Sequence, residues 1–196
     1  MRLAVLASGS GTILEAMING GIPVVYVLTD RKCLASEIAL QHGIDHALVE
    51  RESFGKDFDR KDYTIQIRDA LIEREIDLVA MAGFGTILEQ PIYEEYGNNV
   101  LNTHPSLLPS FPGWNAVEDA IRYGVKVTGC TVHVATKDVD AGPILAQEAV
   151  EVSSGDSVAT LHERIKTIER RLYLETIRDI MEEGQVVIPK EKTNPT

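Results

Sequence analysis

The sequence predicts an α/β fold built on an open, mostly parallel sheet with helices on both faces, and three observations carry that expectation. Continuous apolar runs at residues 3–7, 24–28 and 78–82 read as strands buried on both sides, and segments of helical period separate them. A glycine-rich turn, Ser8-Gly9-Ser10-Gly11-Thr12, links the first run to the first helical segment. A β-rich stretch and one long amphipathic segment close the chain, predicting one antiparallel edge and a long C-terminal helix.

Each element has a local reason. Residues 12–19 set Ile13, Ala16 and Met17 on one side and end at Gly20-Gly21, where glycine can take the left-handed helix stop. A helix over 34–42 precedes one over 60–75, in which Tyr63, Ile67, Leu71 and Ile72 fall at helical spacing before Asp77 turns the chain into a strand. After Gly83-Phe84-Gly85 comes a short polar helix, then a strand over 99–102. Pro105, Pro109 and Pro112 remove donors and fix φ, so residues 105–112 should be a stiff loop. The stretches 125–136 and 144–152 read as antiparallel neighbours joined by a loop that carries Asp140. The last helix begins near Asp156, with Val158, Leu161, Ile165, Ile168, Leu172, Ile177 and Ile180 as its apolar stripe. A single domain over 1–189 and a polar tail over 190–196 follow.

Composition excludes several classes. A net charge of -11 is unsuited to a phosphate backbone, so no nucleic-acid partner is expected, and an anionic ligand must be held by a local field. The short apolar start breaks at Ser8 and resembles neither a secretory signal nor a membrane span, so a cytoplasmic location without membrane attachment is expected, as monomer or homodimer. Cys33 and Cys130 are far apart without CxxC spacing and the five histidines are scattered, so no disulfide framework and no metal site is expected. His133 reads as structural, and His42, His46 and His162 as surface residues.

The chemistry concentrates in Asn102-Thr103-His104-Pro105-Ser106-Leu107-Leu108-Pro109 and Asp138-Val139-Asp140-Ala141-Gly142-Pro143. Asn102 offers a neutral donor for a carbonyl oxygen, His104 can exchange a proton, and Asp140 can hold the imidazole in one tautomer. Such a trio suits acyl transfer to an amine that belongs to a substrate, since no serine or cysteine lies in a nucleophile-elbow pattern. Small-molecule substrates are therefore the expected partners. The glycine turn is placed for an anion at a helix N-terminus, as in Rossmann-like sheets. It lacks the Gly-Lys-Ser/Thr of a P-loop and has Leu14 where a dinucleotide fingerprint needs its third glycine, although Asp30 stands where a ribose-binding acid would. Lys166 and Glu169, three apart, read either as site residues or as a solvated ion pair.

These motifs, with Leu6-Ala7 before the glycine turn, Leu78-Val79-Ala80-Met81-Ala82-Gly83-Phe84 and the extension to Ile144-Leu145, resemble the phosphoribosylglycinamide formyltransferases of the folate-dependent formyltransferase family. The resemblance implies the formyltransferase fold and transfer of a formyl group from 10-formyltetrahydrofolate, a co-substrate, to 5'-phosphoribosylglycinamide in de novo purine biosynthesis, without a metal. It implies Asn102, His104 and Asp140 as the catalytic trio. It gives the ribonucleotide Gly11, Thr12, Ile13, Gly113, Lys166 and Glu169, and the folate Arg60, Met81, Gly85, Thr86, Ile87, Leu88, Asn102 and Val139. The family commonly has Asn at 13, Arg at 86 and Leu-His at 114–115, where this chain has Ile13, Thr86 and Trp114-Asn115. Formyl-folate hydrolysis, another folate-dependent formyl transfer and a nucleotide-sensing module are the rival expectations.

Overall fold

The computed structural model describes residues 1–53, 55 and 57–189, so the expected tail over 190–196 lies outside the described residues. In chain order the elements are β1 (Leu3–Ala7), α1 (Thr12–Asn19), β2 (Val24–Thr29), α2 (Leu34–Gln41), β3 (Asp45–Leu48), α3 (Arg60–Ile72) and β4 (Leu78–Met81). They continue with α4 (Gln90–Tyr96), a 3-10 turn at Gly97–Asn99, β5 (Val100–His104), α5 (Ala116–Tyr123), β6 (Val127–Val134), β7 (Ile144–Glu151) and α6 (Val158–Glu183). The seven strands form one sheet in the order β3-β2-β1-β4-β5-β6-β7. The first five pair in parallel and β6 and β7 run antiparallel at one edge, as expected.

Burial on both faces explains the unbroken apolar runs. Leu3, Val5 and Ala7 of β1 join a core with Leu14 and Met17 of α1, Ala35 and Ala39 of α2, Val117 of α5 and Leu161, Ile165, Leu172, Ile177 and Ile180 of α6, while Val158, expected in that stripe, lies exposed at the first turn of the helix. Ala4 and Leu6 face the opposite core, made with Tyr63, Ile67 and Leu71 of α3 and Ile92 and Tyr96 of α4. The order of the strands reverses between β1 and β4, which opens a crevice beyond their carboxyl ends. Behind that crevice the fully buried Tyr173 of α6 sends its hydroxyl to the carbonyls of Leu101 (3.1 Å) and Met81 (3.3 Å), fastening the long helix to β5 and β4.

Three departures from expectation have physical causes. Strand β3 is not foreshadowed by an apolar run, because this four-residue edge strand is largely exposed and needs none. Helix α3 stops at Ile72 rather than 75: Glu75 takes φ +51° and the Ile76 N–H returns to the Leu71 carbonyl at 3.2 Å. Strand β5 extends to His104, so the imidazole is carried by the sheet and not by the loop after it.

That loop forms neither helix nor strand, and the sheet edge holds it. The Leu108 N–H donates to Thr131 Oγ1 (3.1 Å), Thr131 Oγ1 donates to the Ser106 carbonyl (2.7 Å), and Gln147 Nε2 donates to the Leu108 carbonyl (2.8 Å). Helix α6 starts at a reciprocal cap between Ser157 and Thr160.

Candidate active site

A cavity of about 430 Å³ occupies the crevice. Its wall takes residues 9–13 after β1, 81–88 after β4, 102–105 at the end of β5, Gly113 and Trp114, His133, Val139 and Asp140 from the edge, and one face of α6. Every residue expected at the site lies on this wall except Arg60, whose Nη1 instead pairs with Glu89 Oε1 at 3.5 Å.

Gly11 is at the N-cap of α1 with φ +69°, and no side chain caps the helix, so its first N–H groups are available to an anion. A Cβ at Gly11 would come within 2.8 Å of Ile38 Cδ1 and 3.0 Å of the Ala35 backbone. Two independent reasons, conformation and close packing, thus demand glycine there. The Ile13 side chain turns into the core, leaving its backbone as what the site can use. The wall takes His162, Lys166, Glu169 and Arg170 from α6.

Lys166 does not pair with Glu169. Its Nζ bonds Glu163 Oε1 at 2.8 Å on the exposed side, whereas Glu169 is 9% exposed. Burial pushes the Glu169 carboxyl above the usual carboxylate range, opposed by a hydrogen bond with Thr103. Burial also lowers the His162 imidazole, helped by the charge of Lys166. His162 is half-buried on the wall, against the surface placement expected for it, while His42 and His46 are exposed.

At the centre, Asp140 Oδ2 lies 3.3 Å from His104 Nδ1 and accepts the Gly113 N–H at 2.7 Å. Both acid and imidazole side chains are 6% exposed. Asp140 holds φ +57°, a conformation that turns its carboxylate inward from a loop otherwise directed to solvent. His104 Nε2 donates to the Phe111 carbonyl at 2.8 Å, so both ring nitrogens face oxygen acceptors. Asn102, two residues earlier on β5, has its Nδ2 3.2 Å from His133 Nε2. His133 is therefore part of the wall. The available signal was the antiparallel register that sets it opposite Asn102, which a reading of one strand at a time does not supply.

On the 81–88 part of the wall, Thr86 is buried and donates to Asp30 Oδ2 at 2.8 Å, while Arg51 Nη1 approaches its hydroxyl at 3.4 Å. Arg31 Nε bonds Asp30 Oδ1 at 3.0 Å. Asp30, fully buried between these partners, is not presented to a ribose, which removes the basis of a dinucleotide site. Leu88 is buried in the α3–α4 core and Val139 is exposed at the wall. Trp114, the only tryptophan, is 73% exposed on the same wall. The Cys130 thiol is buried and pushed up by that burial. No cluster that could hold a metal occurs among the described residues, and none of their helices is long and apolar enough to cross a membrane.

The profile of the formyl transferase family matches residues 1–177. A phosphoribosylglycinamide formyltransferase of Mycobacterium tuberculosis is 41% identical over 98% of this chain and 90% of its own length. The human trifunctional purine biosynthetic protein adenosine-3 is also 41% identical, over 88% of this chain, which spans only 17% of that protein. The crystal structure of glycinamide ribonucleotide transformylase 1 from Symbiobacterium toebii superposes with a TM-score of 0.87 at 39% identity, covering 96% of this chain and 91% of that one.

Proposed function

This chain belongs to the formyl transferase family, and from that premise and the site geometry we propose that it is a phosphoribosylglycinamide formyltransferase of purine biosynthesis. The donor is 10-formyltetrahydrofolate and the acceptor is the amine of 5'-phosphoribosylglycinamide. The enzyme works in the cytoplasm as a monomer or homodimer on these small molecules, with no metal, nucleic acid or membrane. The observation that carries the reading is the convergence of Asn102, His104 and Asp140 on one cavity that also holds an uncapped helix N-terminus.

The acceptor amine attacks the formyl carbon, forming a C–N bond and an oxyanion, and the bond from that carbon to the folate nitrogen then breaks. Asn102 Nδ2 donates to the oxyanion. Since Nε2 of His104 is engaged by the Phe111 carbonyl, Nδ1, on the Asp140 side, is the nitrogen that exchanges the reaction's proton. That proton leaves the attacking amine and reaches the departing folate nitrogen, with Asp140 stabilising the imidazolium between the two events. Neither ring nitrogen addresses a side-chain hydroxyl or thiol, so the histidine is not arranged to make an acyl-enzyme. The first turn of α1 and Lys166 bind the phosphate, and Glu169 receives the glycinamide end. Residues 85–88 with Met81 and Val139 take the folate, and Arg60 serves it from outside the cavity wall.

The test is turnover of the purified protein followed at the folate chromophore, with and without the ribonucleotide. Formyl transfer that requires the ribonucleotide supports the reading. Free formate released at the same rate in its absence would make the protein a hydrolase, and ligand binding without turnover would make it a sensor.

A further inference from the structure

His133 has a role that its burial in an apolar strand conceals. Its Nδ1 lies 2.9 Å from the Val134 carbonyl, which can only accept, so Nδ1 carries the ring proton. Nε2 is then a bare lone pair at 3.2 Å from Asn102 Nδ2, and the two residues are direct register partners in adjacent strands. The ring is 1% exposed, and the charged or titratable groups that face it are Asp140, with Oδ1 at 3.7 Å, and His104. Burial lowers the ring's proton affinity, which keeps Nε2 free to accept.

We propose that His133 is a positioning residue for Asn102: an uncharged hydrogen-bond acceptor that decides which end of the Asn102 carboxamide is nitrogen. A carboxamide has two nearly isosteric orientations, and only its partners distinguish them. With Nε2 as acceptor, one Nδ2 proton is committed to His133 and the second is left for the ligand's oxygen. Reversing the amide would set its oxygen against the Nε2 lone pair and, at the same stroke, against the oxyanion. The inference rests on Asn102 being the donor to the formyl oxygen, as read above. It adds a fourth residue, one that does not touch the reacting atoms, to the trio expected from sequence.

Three measurements on the full chain test it. Imidazole nitrogen NMR should show His133 neutral near pH 7.5 with its proton on Nδ1; a protonated Nε2 would overturn the proposal without any variant having to fold. In kinetics, His133→Phe should lower kcat about 10- to 100-fold, less than loss of the whole donor, with both KM values within about threefold of wild type. His133→Gln, which restores an acceptor oxygen, should recover kcat to within about fivefold of wild type. In an Asn102→Ala background His133→Phe should cost nothing further. Multiplying effects in the double variant, a loss carried by KM, or a Gln variant as poor as the Phe one would each refute the positioning role. If the wild type transfers no formyl group, the functional reading fails, while the tautomer measurement still decides the hydrogen bond.

Discussion

Replacing Gly11 by alanine is the perturbation whose consequence the structure defines most fully. The residue sits at φ +69°, where an L side chain costs about 1–2 kcal/mol. The new Cβ would also meet Ile38 Cδ1 at 2.8 Å and the Ala35 Cα at 3.0 Å. Ile38 is a side-chain tip that can swing away, but the Ala35 contact is helix backbone, so α2 and the α1 start must separate, an overpacking of about 1–3 kcal/mol. Together these predict a destabilisation of about 2–5 kcal/mol, or roughly 1–2.5 M in urea midpoint at an m-value of about 2 kcal/mol/M. The same separation withdraws at least one α1 N–H from the anion, and one charge-assisted hydrogen bond of about 1.5–3 kcal/mol corresponds to a rise of about 10- to 100-fold in the KM for the ribonucleotide. Gly9→Ala is the internal control for stability, because nothing lies within 4 Å of a Cβ there and its φ is ordinary. The assay is urea denaturation of both variants together with KM for each substrate. Equal midpoints for the two variants, or equal changes in KM for ribonucleotide and folate, would refute the assignment of this loop.

Two further outcomes follow from the centre of the site. Asn102→Ala should lower kcat about 10²- to 10³-fold at unchanged melting temperature, and a rate within a few-fold of wild type would contradict the oxyanion role. Glu169 supplies a pH dependence with a definite sign: burial raises its folded-state value, so the stability of the protonated carboxyl is present at low pH and is lost as pH rises through that value. Glu169→Gln cannot ionise and escapes the loss, so its melting temperature relative to wild type should be higher at about pH 8 than at about pH 5. An offset that does not change with pH would show that the carboxyl is not held in a protonation-sensitive setting.

How far the sequence revealed this site depends on whether a residue's role is local. The strands β1, β2 and β4 announced themselves because both faces are buried, and the turn at Gly11 did so because positive φ favours glycine. Asn102 and His104 were legible as two polar side chains one strand-repeat apart at the carboxyl end of β5. Asp140 was legible as a loop acid, but its approach to His104 depends on φ +57° and on the Gly113 N–H, neither of which the letters reveal. His133 looked like core because its partner lies across the sheet, and β3 was invisible because an exposed edge strand has no hydrophobic signature. Lys166 and Glu169 invited pairing at three-residue spacing, yet Glu163, one turn the other way, takes the ammonium. Trp114-Asn115 stands where the family has Leu-His, and nothing in the structure explains that exchange.

A chain of net charge -11 that binds two anionic substrates must solve its electrostatics at short range. Lys166 and Arg170 line the cavity together with the loop at the N-terminus of α1. Arg51 and Arg31 gather around Thr86 and Gly85. The acids Asp140 and Glu169 share the wall, one beside an imidazole and the other disfavoured as an anion by burial. Beyond a Debye length of about 10 Å at 0.1 M salt the overall field repels both substrates, while within the cavity the fixed donors are screened far less. Raising salt from about 20 to about 150 mM should therefore weaken the repulsion more than the contacts and leave kcat/KM for the ribonucleotide unchanged or higher. A steep fall with salt, of the kind that a globally attractive surface gives, would mean that capture depends on exposed cations, and the α1 terminus would lose its place as the principal anion site.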